Sequence, residues 1–87
     1  MDGDHTNDEA LALGALSWVL SDDGRAERFL TLTGLSPGDL RTRIDERSTL
    51  IAVLQFLEAH EPDLLAAADM LGLPPSALPE ARRRLEQ

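Results

Sequence analysis

The stretch from Ser48 to Ala59 reads Ser-Thr-Leu-Ile-Ala-Val-Leu-Gln-Phe-Leu-Glu-Ala. Wound into a helix, its apolar side chains Leu50, Ile51, Val53, Leu54, Phe56 and Leu57 cover well over half the circumference, leaving Ala52, Gln55, Glu58 and Ala59 for water. A surface helix needs an apolar stripe only about 100° wide. This one must be covered from several sides, and a chain of 87 residues has room for one core to do it. Ser48 is placed to cap its start, while Pro62, just past His60, can open a new helix but cannot prolong this one.

The covering segments also read as helices. Ala, Leu, Glu and Arg are plentiful and Tyr is absent. No polar-apolar alternation runs long enough for a strand, so the fold class expected is all-α. Without Cys there are neither disulfides nor thiolate metal sites, and no apolar run reaches the roughly 18 residues of a membrane span. The Asp-rich start, Met1 to Glu9, is not a signal peptide. The expectation is a cytoplasmic protein with a disordered acidic tail over residues 1–6 and a single helical domain over residues 7–87, a compact bundle of five or six short helices.

Thr6 and Glu9 form a capping-box pattern that starts a first helix, ending near Leu20. Leu11, Leu13, Leu16, Trp18, Val19 and Leu20 spread around it, and Ala10, Gly14, Ser17 and Ser21 line up as a stripe of small residues where another backbone can come close. Ser21 or Asp22 caps a second helix from about Asp23 to Thr33, with Gly34 as its left-handed stop and Leu35 folding back as a Schellman contact. Ser36-Pro37-Gly38-Asp39 supplies an N-cap, a first-turn Pro and an acid at the third position, so a short helix runs to about Arg43 with Leu40 and Ile44 on its core side. After the central helix, Pro62 starts another in which Leu64, Leu65, Ala68 and Leu71 face inward, stopped by Gly72. Pro79 lacks the N–H of a continuing helix, so a turn and then a helix from about Pro79 to Leu85 are expected, docked by Leu78, Ala81 and Leu85. Leu16, Phe29, Leu35, Leu54, Leu57 and Leu71 are the expected core.

A slide of 38 positions, the separation of Gly34 and Gly72, superimposes the two halves without a gap. Leu13 falls on Ile51, Leu16 on Leu54, Trp18 on Phe56, Val19 on Leu57, Leu35 on Leu73, Pro37 on Pro75 and Leu40 on Leu78. Apolar and punctuating positions agree, which suggests two copies of a long-long-short helical unit with the first and fourth helices sharing a core.

Three segments also carry a resemblance: Ala10 to Leu20, Arg28 to Arg41 with its Thr-Gly-Leu-Ser-Pro-Gly-Asp-Leu run, and Ala52 to Leu57. The chain resembles the small bacterial proteins grouped as the domain-of-unknown-function family numbered 3572. That resemblance implies a compact all-α domain, and it carries no activity, cofactor or functional residue with it.

Sixteen acidic side chains oppose eight basic ones, all Arg, for a net charge of -8. A polyanion would be repelled over much of the chain, the five Arg of residues 25–47 excepted. The alternative function to weigh is therefore a helix-turn-helix-like nucleic-acid-binding regulator over residues 23–44, bearing Arg41 and Arg43. Against it stand the shortness of its second helix and Asp39 at the end that would meet base edges. A calcium loop at Asp2, Asp4 and Thr6 fails because Asn7 stands where Gly should turn and Leu13 where Glu should ligate. His60, Glu61 and Asp63 do not project to one point as metal ligands. No phosphate loop, nucleophile elbow or catalytic triad appears. The reading is a protein-protein interaction or structural module and not an enzyme, without cofactor, metal, nucleic-acid or membrane partner. The expected contact surface is Leu11, Gly14, Ser17 and Trp18, facing another protein or a second copy in a homodimer.

Overall fold

The computed structural model describes residues 6–87, which form six α-helices: α1 (Thr6–Leu20), α2 (Asp23–Thr33), α3 (Pro37–Thr42), α4 (Arg47–Glu58), α5 (Glu61–Leu71) and α6 (Ala77–Leu85). Leu50, Val53, Leu54, Phe56 and Leu57 of α4 are buried and Ile51 is half-buried, so the apolar circumference is covered as its sequence demands. The cover comes first from α1, which buries Ala12, Ala15, Leu16 and Val19. These positions follow the helical spacing of three and four residues, and two of them are Ala, which lets the α4 backbone approach closely. α1 and α4 pack against each other, and each also packs against α2, α5 and α6. Phe29 of α2 meets Phe56 edge to face, with ring centroids 5.3 Å apart and planes at 83°, a geometry that adds about 0.5–1.5 kcal/mol to area burial. From α6, Leu78, Ala81 and Leu85 dock as expected, all fully buried. The Cα radius of gyration, 12.1 Å, is what a globular chain of this length shows, about 12 Å.

The caps follow local chemistry. Asp22 accepts the Arg25 N–H at 2.9 Å. Ser36 and Asp39 complete a reciprocal capping box, with Pro37 at the first helical position. Gly34 (φ 75°) and Gly72 (φ 71°) end α2 and α5 in the left-handed region, where a side chain would be strained. The two ends differ in detail. At Gly72 the Leu73 N–H reaches back to the Ala68 carbonyl at 2.9 Å, the six-to-one Schellman bond. At Gly34 only the five-to-one bond to the Leu30 carbonyl forms, and the Leu35 N–H turns to the Thr33 hydroxyl.

Several expectations are corrected. Thr6 lies inside α1; the rest of the expected tail, residues 1–5, lies outside the described residues. Glu46 and not Ser48 is the N-cap of α4, without a side-chain cap hydrogen bond, because the helix begins one residue before Ser48. α6 starts at Ala77, with Pro79 inside its first turn, where the missing N–H costs nothing. Leu65 and Ile44 are exposed and Leu35 and Leu71 half-buried, while Ala67 is fully buried.

Displaced by 38 positions, the bounds of α2 coincide with those of α5. The burial pattern repeats as well: Ala12 with Leu50, Ala15 with Val53, Leu16 with Leu54, Val19 with Leu57, Phe29 with Ala67 and Leu40 with Leu78 are buried in both copies. In three of these pairs, Ala12 with Leu50, Ala15 with Val53 and Phe29 with Ala67, a small side chain in one half answers a larger one in the other. Ion pairs tie the halves at the rim. Arg84 grips the buried Asp8 carboxylate with Nε and Nη2 at 2.9–3.1 Å, and Arg28 of α2 pairs with Asp63 of α5.

Because Leu54 is fully buried in the α1–α4 contact, truncation to Ala should lower the unfolding free energy by about 2–5 kcal/mol. Urea unfolding followed by circular dichroism measures it, and a loss below about 1 kcal/mol would displace α4 from the centre of the core.

Candidate functional site

α1 is apolar almost all round, and α4, α5 and α6 do not cover all of it. On the remaining face the chain turns at Ser21 and Asp22 into α2, then through Gly34 into α3, whose single buried side chain is Leu40. The result is an open apolar cleft of two adjoining lobes. One, of about 430 Å³, is lined by Leu13, Leu16, Ser17, Leu20, Ser21 and Ile44. The other, of about 290 Å³, is lined by Leu20, Leu30, Pro37, Leu40, Arg41 and Ile44. Leu20 and Ile44 belong to both. Of the six large apolar side chains exposed among the described residues, three line this cleft: Leu13, Leu20 and Ile44, each about two-fifths exposed. Leu32, Leu65 and Met70 stand outside it.

The junction beside the cleft is rigid for local reasons. The Arg25 guanidinium stacks on the Trp18 ring at 3.6 Å from its centroid. It also donates to the Trp18 carbonyl at 2.5 Å and to Ser21 Oγ at 2.9 Å. Ser21 Oγ–H bonds the same carbonyl at 2.6 Å. The Ser21 backbone N–H reaches the same carbonyl at 3.2 Å, so two side chains and a turn amide together satisfy a C-terminal carbonyl of α1. Across the cleft, α3 is fixed by its capping box. The Ser36 backbone N–H, then the Ser36 side chain and the nearby Arg43 charge, hold the Asp39 carboxyl below its ordinary value of 3.8.

Of the four residues expected to form the contact surface, only Ser17 lines the cleft. Gly14 is approached by the chain's own α5: a Cβ placed there would stand 2.8 Å from Leu71 Cδ2. Trp18 lies beneath Arg25, and Leu11 is half-buried against the core. The small-residue stripe therefore splits, with Gly14 serving internal packing and Ser17 and Ser21 facing the cleft. The residues that sequence reasoning missed are Leu20, Ile44 and Arg41, and the signal that finds two of them is the internal repeat. Thirty-eight positions after Leu20 stands Glu58, and the same distance after Ile44 stands Arg82. Those two form an ion pair, Arg82 Nε to Glu58 Oε2 at 2.5 Å, which with Glu86 holds the Arg82 charge more firmly than usual. The place sealed by an ion pair in one half is thus an apolar pair in the other.

A family model described as a protein of unknown function (DUF3572) matches residues 5–87. The chain belongs to this family. No curated protein and no solved structure matches it. The six-helix fold with its 38-residue internal echo is accordingly what this member shows of the family's architecture.

Other chemistry finds little support. His60 Nδ1 and Asp63 Oδ2 come within 3.1 Å, but Arg28 holds the same carboxylate oxygen. Among the described residues no three His, Cys, Asp or Glu side chains converge as a metal would need. As a recognition helix, α3 offers six residues and an anionic Asp39 in its first turn. No helix among the described residues is long and apolar enough to cross a membrane.

Since the folded Asp39 carboxyl titrates below 3.8, its contribution to the α3 cap is fully present above that pH and is lost as pH falls through the lower folded value. The Ser36 amide shift followed by NMR should titrate with a midpoint below 3.8, and vanish as a transition in Asp39→Asn. A midpoint at or above the ordinary aspartate value would remove the capping box as the device that fixes α3.

Proposed function

We propose that this protein is an interaction module of the cytoplasm, not an enzyme, and that the two-lobed cleft between α1, α2 and α3 is its docking surface for a helix of another protein. The observation that carries the reading is the exchange of Leu20 and Ile44 for Glu58 and Arg82 across the repeat. The Glu58–Arg82 pair is only about one-fifth exposed and Leu20 and Ile44 are each about two-fifths exposed, so both solutions bury part of their side chains and both contribute to folding. The C-terminal half has a charged pair at this place of the architecture. Grouping part-exposed apolar side chains where the other half carries charged ones is the pattern of a contact surface. The titrating groups with resolved shifts, Asp39, Arg82 and Arg84, are each explained by a cap or an ion pair, which supports binding over catalysis.

The test transplants one half's solution into the other. The double variant Leu20→Glu, Ile44→Arg should still fold, with the parent's helical circular dichroism. Tagged parent chain purified from its native cells should carry a protein that the double variant, equally abundant and equally folded, fails to retain. Identical retention by both chains would sink the cleft as docking surface.

A further inference from the structure

We infer that the occupant of the cleft is an amphipathic helix of another protein bearing apolar side chains one turn apart and a carboxylate beside them. The inference rests on the docking reading above and adds the chemistry of the partner. Arg41 sets the charge that the partner must match. In a chain with twice as many acidic as basic side chains, nearly every Arg is already engaged. Arg25 stacks on Trp18 and Arg28 pairs with Asp63. Arg43 lies near Asp39, Arg47 donates to the Gln87 carbonyl, and Arg82 and Arg84 bind carboxylates. Among the described residues Arg41 and Arg83 are without such a partner, and of the two only Arg41 lines the cleft. An uncommitted guanidinium at the edge of an apolar lobe, on an otherwise acidic molecule, selects an acid on the incoming surface.

The shape of the cleft selects the kind of segment. Among the described residues there is no strand and hence no sheet edge, so an extended peptide would find no ladder of backbone groups to pair with. A helix brings its own hydrogen bonds and presents apolar anchors three or four residues apart, about 5–6 Å, to two adjoining lobes. A second copy of this chain fits less well. A two-fold contact requires the patch to complement itself, yet both lobes are concave. The most projecting apolar side chains, Leu32 and Met70, about seven-tenths exposed, lie outside the cleft. Two copies also bring together net charges of -8 each.

The experiment selects four-turn helices from a phage-displayed library of neutral background against the immobilised full chain. The best sequence is then titrated as a synthetic peptide by fluorescence anisotropy. Enriched helices should carry apolar residues at i, i+3 or i+4, and i+7 with Asp or Glu alongside. Arg41→Glu should weaken the peptide about three- to five-fold, as an exposed ion pair allows. Replacing the peptide's acid by Lys should restore binding to that variant, and the Leu20→Glu, Ile44→Arg chain should lose about ten-fold or more. Enrichment of basic helices, or binding indifferent to Arg41, would overturn the inference. So would sedimentation showing a parent dimer that the double variant abolishes, which would make a second copy the occupant. If no helix is enriched while retention of the native partner still depends on Leu20 and Ile44, the occupant is wrong and the docking surface stands. If that dependence is also missing, the docking reading itself falls.

Discussion

The contact between α1 and α4 is the constraint on which the rest of the molecule depends. α4 carries apolar side chains over most of its circumference, so no single neighbour can shield it, and α1 has nearly the same property. Each partly solves the problem of the other: Ala12, Ala15, Leu16 and Val19 lie in the same core as Leu50, Val53, Leu54 and Leu57. The two Ala on α1 let the helices approach closely, and the larger side chains on α4 fill the space. α2, α5 and α6 then cover what remains. A domain this small buries only about 60% of its chain surface, so nearly all of its stability must come from this one contact and its immediate cover.

That arithmetic also explains why the two halves look alike without being alike. Both are built as long helix, helix stopped by a left-handed Gly, and short helix, and both contribute the same six positions to the core. The halves differ in bulk at Phe29 against Ala67 and Ala12 against Leu50, and agree at Leu16 with Leu54 and Leu40 with Leu78. At the rim the halves differ in chemistry instead. Glu58 and Arg82 close the C-terminal half with an ion pair, and Leu20 and Ile44 leave the N-terminal half open and apolar. The function proposed rests on that asymmetry.

What the sequence made legible was decided locally. The stops at Gly34 and Gly72, the Ser36 capping box, the Asp22 cap and the all-round apolarity of α4 each depend on a few neighbouring residues, and each appears where the pattern puts it. The all-α class and the family follow from the same features. Long-range packing was less legible. Leu65 and Ala67 lie two residues apart on α5, and hydrophobicity ranks them in the opposite order to their burial, because two residues on a helix stand about 200° apart and the packing of α5 turns Ala67 inward. Ile44 follows the apolar rhythm of α3 but falls beyond its last turn, so its direction is set by the connection to α4. The small-residue stripe of α1 splits for a related reason. Gly14 does mark a close approach, but the approaching group is Leu71 of the same chain, and sequence cannot distinguish an internal neighbour from an external one.

α1 and α4 form one indivisible core to which α3, anchored by the single buried side chain Leu40, is a looser attachment. Native-state hydrogen exchange resolves such differences residue by residue, since each amide reports the free energy of the opening that exposes it. Amides from Ala15 to Val19 and from Val53 to Leu57 should exchange only through global unfolding, at one common free energy. Those of Leu40 and Arg41 in α3 should exchange at a clearly lower one. Exchange of the α1 amides at a free energy well below that of α4 would contradict the account.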